Sequence, residues 1–205
     1  MSDRYDEKAQ KKIRKVEKKA MKLAGVDSGL IQRFWELVNM FPKISTFELE
    51  CRVENFIMNA TPGQFFTMQQ TLFEEATPYL VEDERIRDVM RDLKGKRLGM
   101  AITGEYESTV TLGDAYLTVE RGITDNCPVI SVESRRDYAD TILGLKDPIK
   151  MILNRRIRAS HKLTLLRWAL PHIDILRDRN LFEKYLSFQP EVERVLDETL
   201  RKMGY

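Results

Sequence analysis

Histidine is the side chain most often recruited to move protons or hold metals near neutral pH, and this chain has two, His161 and His172. They stand eleven residues apart, with Pro171 between them and no cysteine close by. That is not a ligand spacing, and both read as helix-capping or surface positions. Ser160 precedes His161, yet adjacent residues do not align a nucleophile with its base. Cys51 and Cys127 form no CxxC and have no companion histidine, so reduced, inert thiols are expected. Asp137 and Asp140 beside Arg135 and Arg136 have the pattern of a capped, solvated helix start. Glycine-rich phosphate loops are absent. No catalytic residue, metal site or cofactor is expected, and the chain reads as a non-enzyme. One cluster stays open: Arg155, Arg156 and Arg158 could rim a pocket and attract a carboxylate or phosphate, or could protect an edge strand with charge.

Stepping from these residues to the chain that must carry them, 205 residues with 42% hydrophobic content suffice for a real core. Lysine and arginine number 34 against 32 acidic residues. A net charge of +2 argues against a globally electrostatic partner such as duplex nucleic acid. The charge is uneven: Met1 to Ala24 carries nine basic and four acidic residues, leaving the remainder of the chain at −3. The N-terminal stretch lacks the apolar run of a signal peptide, and Asp3, Asp6, Glu7 and Glu17 do not suit a transit peptide. A soluble, cytoplasmic protein is expected, with at most peripheral membrane contact.

Glycine divides the sequence unequally. Only Gly25, Gly29 and Gly63 precede residue 95, whereas six glycines fall between Gly95 and Gly144. A helical first part therefore meets a strand-and-turn second part. Ala9, Ile13, Val16, Ala20 and Leu23 share one face of a basic helix, and Leu30, Phe34, Leu37, Val38 and Phe41 repeat the pattern. Ser45 with Glu48 has the form of a capping box, as does Thr61 with Gln64, where Pro62 suits the first helical position. A further helix is expected from Asp83 to Lys94, stopped by Gly95.

From Arg97 the apolar period changes to two. Leu98, Met100 and Ile102 form one strand, Val110 and Leu112 a second, and Tyr116 to Glu120 a third, joined by turns at Gly104 and Gly113. Val129 to Glu133 makes a fourth strand. Ser134 with Asp137 caps the helix of Tyr138, Ile142 and Leu143; Asp147 and Pro148 start the helix of Ile149, Ile152 and Leu153. Ile157 to Ser160 is short enough for an edge strand, and Leu163, Leu166 and Leu170 mark a helix ended by Pro171. Aromatic Phe182, Tyr185 and Phe188, then Val192, Val195, Leu196 and Leu200, continue in helices to the end. No repeat or low-complexity linker divides these parts.

This order, a meander, a strand, a helix ending in Leu143-Gly144, then Lys146-Asp147-Pro148, a hydrophobic turn, a short strand and a closing helix, resembles the sterol carrier protein domain family. The resemblance covers residues 83–176 and is sharpest in LGLKDPIKMILNRRIRASHKLTLLRWALP. It implies an α+β fold with a five-stranded, mostly antiparallel sheet and helices on one face, flanked by helical extensions over 1–82 and 177–205. Where the family has Gly-Asp after its last strand, this chain has Ser160-His161. Where the family has glycine before that strand, this chain has Asn154, Arg155 and Arg156, of which asparagine tolerates the left-handed conformation.

The resemblance further implies a pocket for a lipid, fatty acyl or other hydrophobic molecule between sheet and helices. Candidate lining residues are Ile102, Val110, Leu112, Leu117, Val119, Ile130 and Val132 from strands. Helices add Tyr138, Ile142, Ile149, Ile152, Leu153, Leu163 and Leu166. The same stripes would also build the core of any two-layer domain. Shape alone could suffice for affinity, since burying sixteen methylenes at ~0.8 kcal/mol each gives roughly 13 kcal/mol before immobilisation costs. The competing expectation is a structural or interaction protein with a solid core. Its flanking helices, with aromatics such as Phe65, Phe66 and Phe73, would then form a homodimer or dock a partner.

Overall fold

The computed structural model describes residues 44–172 and 178–205. The two amphipathic helices read over residues 9–23 and 30–41 lie outside the described residues. Helix α1 spans Phe47–Asn59 and is capped by Thr46, whose hydroxyl accepts the Leu49 N–H at 3.3 Å. The cap thus sits one residue beyond Ser45. Ser45 instead donates its N–H and hydroxyl to Glu193, at 2.9 and 2.5 Å, and Glu48 pairs with Arg52 one turn on. Helix α2, Pro62–Leu80, opens with the expected capping box of Thr61 and Gln64. Helix α3, Glu84–Asp92, is capped by Asp83.

Five strands follow: β1 Arg97–Ile102, β2 Tyr106–Leu112, β3 Leu117–Arg121, β4 Val129–Val132 and β5 Ile157–Ala159. Their order in the sheet is β3-β2-β1-β4-β5. The sheet is mixed rather than fully of one kind, because β4 runs parallel to β1 while the other three pairs are antiparallel. Gly113 makes the β2–β3 reversal possible: its N–H bonds the Tyr116 carbonyl at 2.9 Å, and a Cβ there would lie 2.6 Å from the Tyr116 ring. Between the last strands come α4 Arg135–Ile142 and α5 Pro148–Leu153. After β5 come α6 Lys162–Ala169, a 3-10 turn Leu170–His172, α7 Arg179–Ser187 and α8 Gln189–Lys202.

Directly paired residues share a face of a sheet. The registers Leu98↔Val110, Val110↔Val119, Met100↔Ile130, Ile102↔Val132 and Val132↔Ile157 therefore gather the apolar side chains on one face. The described core helices pack on that face. The opposite face carries Gly99 and Thr109 and is crossed by the 122–128 loop. Thr109 Oγ1 donates to the Gly122 carbonyl at 2.8 Å and accepts the Thr124 N–H at 2.9 Å.

On the helical face the core falls into two clusters. The larger joins α1, α2 and α8 to β1, β2 and β3, with Val53, Phe56, Ile57, Leu196 and Leu200 wholly buried. The smaller consists of Ile130, Val132, Met151 and Ile157, with Leu98, Ile152 and Leu165 against it. Tyr138 of α4 touches both.

Candidate functional site

Between the two clusters lies a cavity of about 50 Å³. Its walls are Phe56 of α1; Phe65, Met68, Gln69, Leu72 and Phe73 of α2; Met100, Ala101 and Ile102 of β1; Tyr106 of β2; Ile130 and Val132 of β4; and Tyr138 of α4. Two aromatic packings hold the helical wall in place: Phe65 lies 5.0 Å from Phe56 and stacks on Tyr106 at 5.3 Å. Methionines 68 and 100 contribute the flexible, polarizable part of the lining.

One end of this apolar space is polar. Gln69 Oε1 accepts from the Tyr106 hydroxyl at 2.6 Å and from Ser108 Oγ at 2.7 Å. Its amide nitrogen donates to the Met100 thioether at 3.2 Å, a weak acceptor. Burial pushes the Tyr106 phenol above its ordinary pKa, with the hydrogen bond to Ser108 and the charge of Arg121 acting the other way. Tyr106 is therefore a hydrogen-bond donor at this site near neutral pH.

Of the fourteen residues the sequence nominates, the structure brings Ile102, Ile130, Val132 and Tyr138 to the cavity. Val110, Leu117, Val119 and Ile142 pack in or against the larger cluster instead, and Leu112 pairs with Leu117 at the far end of the meander. Ile152 supports the smaller cluster; Ile149 lies in α5. Leu153, Leu163 and Leu166 are exposed. Helix α6 turns Leu165 toward the smaller cluster, so the stripe of Leu163 and Leu166 faces solvent. The lining residues that sequence reasoning missed, above all Met68, Gln69 and Leu72, come from α2. Their i, i+1, i+4 spacing announces a buried face but not which surface that face meets.

The acids at the start of α4 are buried rather than solvated, and half-exposed bases pair with them. Ser134 Oγ accepts the Asp137 N–H at 3.1 Å, as its sequence position predicts. Arg135, however, donates to the carbonyls of Ile57, Met58 and Ala60, the last at 2.7 Å, and closes the C-terminal end of α1. Asp137 and Asp140 are buried. Lys146 Nζ reaches Asp140 at 2.5 Å and Asp137 at 3.6 Å, Arg136 reaches Asp140 at 2.8 Å, and Arg156 reaches Asp137 at 3.4 Å. Burial raises the Asp140 carboxyl, but the Lys146 hydrogen bond and the charges of Arg136 and Lys146 outweigh it and hold the pKa below the ordinary carboxylate range. The Lys146-Asp147-Pro148 stretch is thus tied to α4 through its lysine.

Two left-handed conformations flank β5, and the first is not on the expected asparagine. Arg155, not Asn154, takes φ 62°, and His161 takes φ 47°. His161 opens α6 by accepting the Thr164 and Leu165 N–H groups on its carbonyl. Arg158 pairs with Glu133 and Arg156 with Asp137, which supports the edge-strand account of the arginine cluster. His172 lies 3.9 Å from Asp92. Among the described residues no three His, Cys, Asp or Glu side chains converge as a metal site, and no helix is long and apolar enough to cross a membrane.

No family model matches the chain, and no curated protein matches it. Among solved structures, a chain described as "UbiJ-SCP2 Ubiquinone synthesis protein" is similar with a TM-score of 0.39 and 9% identity, covering 55% of this chain and 91% of that one. The α+β architecture itself rests on the strand order and registers given above.

Proposed function

We propose that the protein is a non-catalytic binder of an apolar small molecule, such as a lipid or fatty acyl chain, held between α2 and strands β1 and β4. The observation that carries this reading is the apolar space between α2 and the sheet, which side chains of both clusters line and which Tyr138, a member of both, borders. The volume of about 50 Å³ is room for one or two waters at about 30 Å³ each. Ligand pockets run to roughly 300–1,000 Å³. Uptake therefore requires the smaller cluster, with α5 and α6, to move away from the larger, and the side chains of Met68 and Met100 to repack. Helix α6 has no buried residue, so its displacement disrupts little packing.

Native mass spectrometry of gently purified full-length protein, followed by organic extraction, tests the proposal. A co-purifying apolar molecule is expected, together with its loss in Met100→Phe, which fills the cavity. Repeated absence of any bound molecule, with no thermal shift on adding fatty acids, would overturn it.

A second reading is favoured by the small volume: an interaction protein with a filled core that docks a partner or a second copy through its flanking helices. A dimer that persists on dilution, measured by analytical ultracentrifugation with no bound small molecule, would support it over the first.

A further inference from the structure

Gln69 of α2 is the one side-chain amide among the described residues that line the cavity, and its two ends are served unequally. An amide oxygen has two lone pairs. Both are taken, by the hydroxyls of Tyr106 and Ser108, which alternate onto the covered face of β2 together with Val110. The amide nitrogen, by contrast, donates to Met100 Sδ at 3.2 Å, and a thioether is a poor acceptor. The reverse orientation of the amide fails chemically. Sulfur in a thioether has no proton to donate, so a carbonyl turned toward it would have no partner there.

Charge plays no part in the lining. No lysine, arginine, histidine, aspartate or glutamate is among the described residues around the cavity. Two cations approach α2, Arg121 over the Phe66 ring at 4.7 Å and Arg135 over the Phe65 ring at 5.3 Å, but neither lines the space. Arg135 is committed to the carbonyls that end α1. An ionised head group would therefore enter without a counter-ion, which costs so much that the group neutralises instead. An uncharged oxygen meets no such barrier.

We propose that Gln69 selects the ligand by its head group: the amide N–H leaves the Met100 sulfur and donates to an uncharged acceptor oxygen, the carbonyl of an ester or ketone. The inference rests on the apolar-binder reading and narrows it, from apolar molecules in general to neutral lipids that carry a carbonyl. Exchange of acceptors is the source of the selectivity. Oxygen accepts an N–H better than sulfur does, while Tyr106 and Ser108 hold the amide in one orientation before and after the exchange. Met100 is unbranched and swings aside as the oxygen takes its place. A few fixed polar groups of this kind are what orient a ligand in an otherwise apolar pocket.

Equilibrium dialysis of the full chain against methyl decanoate, decanoate and decane at neutral pH, read by gas chromatography, tests it. The wild type should retain the ester and the alkane, and should hold decanoate about a hundredfold more weakly than the ester, because the acid must take up a proton before its head is buried. Gln69→Glu keeps the oxygen to which Tyr106 and Ser108 donate and removes the N–H. It should weaken the ester about tenfold and leave decane within about twofold. Met100→Leu, close in volume, removes the competing sulfur and should tighten the ester about twofold or more, a gain that misfolding cannot mimic. If the wild type retains none of the three probes, this inference and the apolar-binder reading fall together. The apolar-binder reading stands and selection by Gln69 is overturned if decanoate is held as tightly as its ester, if Gln69→Glu weakens decane as much as the ester, or if either variant leaves ester binding unchanged.

Discussion

The two sides of the sheet's helical face are built to different standards. Over β1, β2 and β3, helices α1, α2 and α8 interlock around side chains with no exposure, including Val53, Phe56, Ile57 and Leu196, and Tyr205 closes edge-on against Phe56 at 5.3 Å. Over β4 and β5, four buried residues are supported by α5 and by α6, whose leucine stripe faces away. The difference shows how one sheet can combine rigidity and give. The large cluster holds most of the buried packing, and the small one, with four buried residues, has less to hold it in place.

The sharpest way to break this contrast compares two isoleucines. Ile57 and Ile157 are both buried, one in each cluster. Ile57→Ala should cost about 4 kcal/mol and Ile157→Ala about 2 kcal/mol, because a loosely held site collapses around the lost atoms more fully. Urea denaturation measures both, and equal losses would mean that the clusters are equally rigid.

Next in size is the buried acid pair that anchors α4 to the segment leading into α5. Asp140→Asn should cost about 1–2 kcal/mol at neutral pH, below the usual penalty for breaking a buried pair because its partners Arg136 and Lys146 are half-exposed and screened. The folded pKa of Asp140 lies below its ordinary value. Its contribution is therefore complete above the unfolded carboxylate pKa and disappears as pH falls through the folded one. Thermal melts of wild type and Asp140→Asn should converge on acidification; a difference that stays constant down to the acid transition would remove the charge from the account.

A smaller effect, of opposite sign, is expected at the left-handed positions. Arg155→Gly and His161→Gly should each stabilise by about 0.5–1 kcal/mol, since a glycine avoids the Cβ clash at positive φ but gives back some entropy in the unfolded chain. Any loss of stability there would show that contacts of these side chains outweigh the backbone strain. Least of all should follow from Arg194→Ala, which removes exposed ion pairs to Glu191 and Glu198 on α8. No measurable shift in Tm is expected.

Much of this architecture is legible from local chemistry. Thr61 with Gln64, Ser134 with Asp137, and Asp83 ahead of α3 announce helix starts because a cap is satisfied within a few residues. The change from helical to alternating period at Arg97 marks the meander for the same reason. What spacing does not encode is direction and partner. The parallel pairing of β4 with β1 depends on how the 122–128 loop crosses the back of the sheet, and that path is held by Thr109 rather than by a turn motif. Alternation places Ile102, Ile130 and Val132 on the covered face, but the position of the cavity along it depends on where α2 crosses, so Met68 and Gln69 remain invisible beforehand. In α6 the stripe of Leu163 and Leu166 is plain in the sequence, whereas its outward rotation is decided by Leu165 on the other side.

The single parallel pair also sets a timetable. Strands β1, β2 and β3 join through short turns and can zip locally, whereas pairing Gly99 with Val129 must close a much longer loop before any contact rewards it. The wall formed by Ile130 and Val132 is therefore expected to join a meander already in place. Assembly repeats in time the division seen in space, with the firm side of the molecule made first and the yielding side laid against it afterwards.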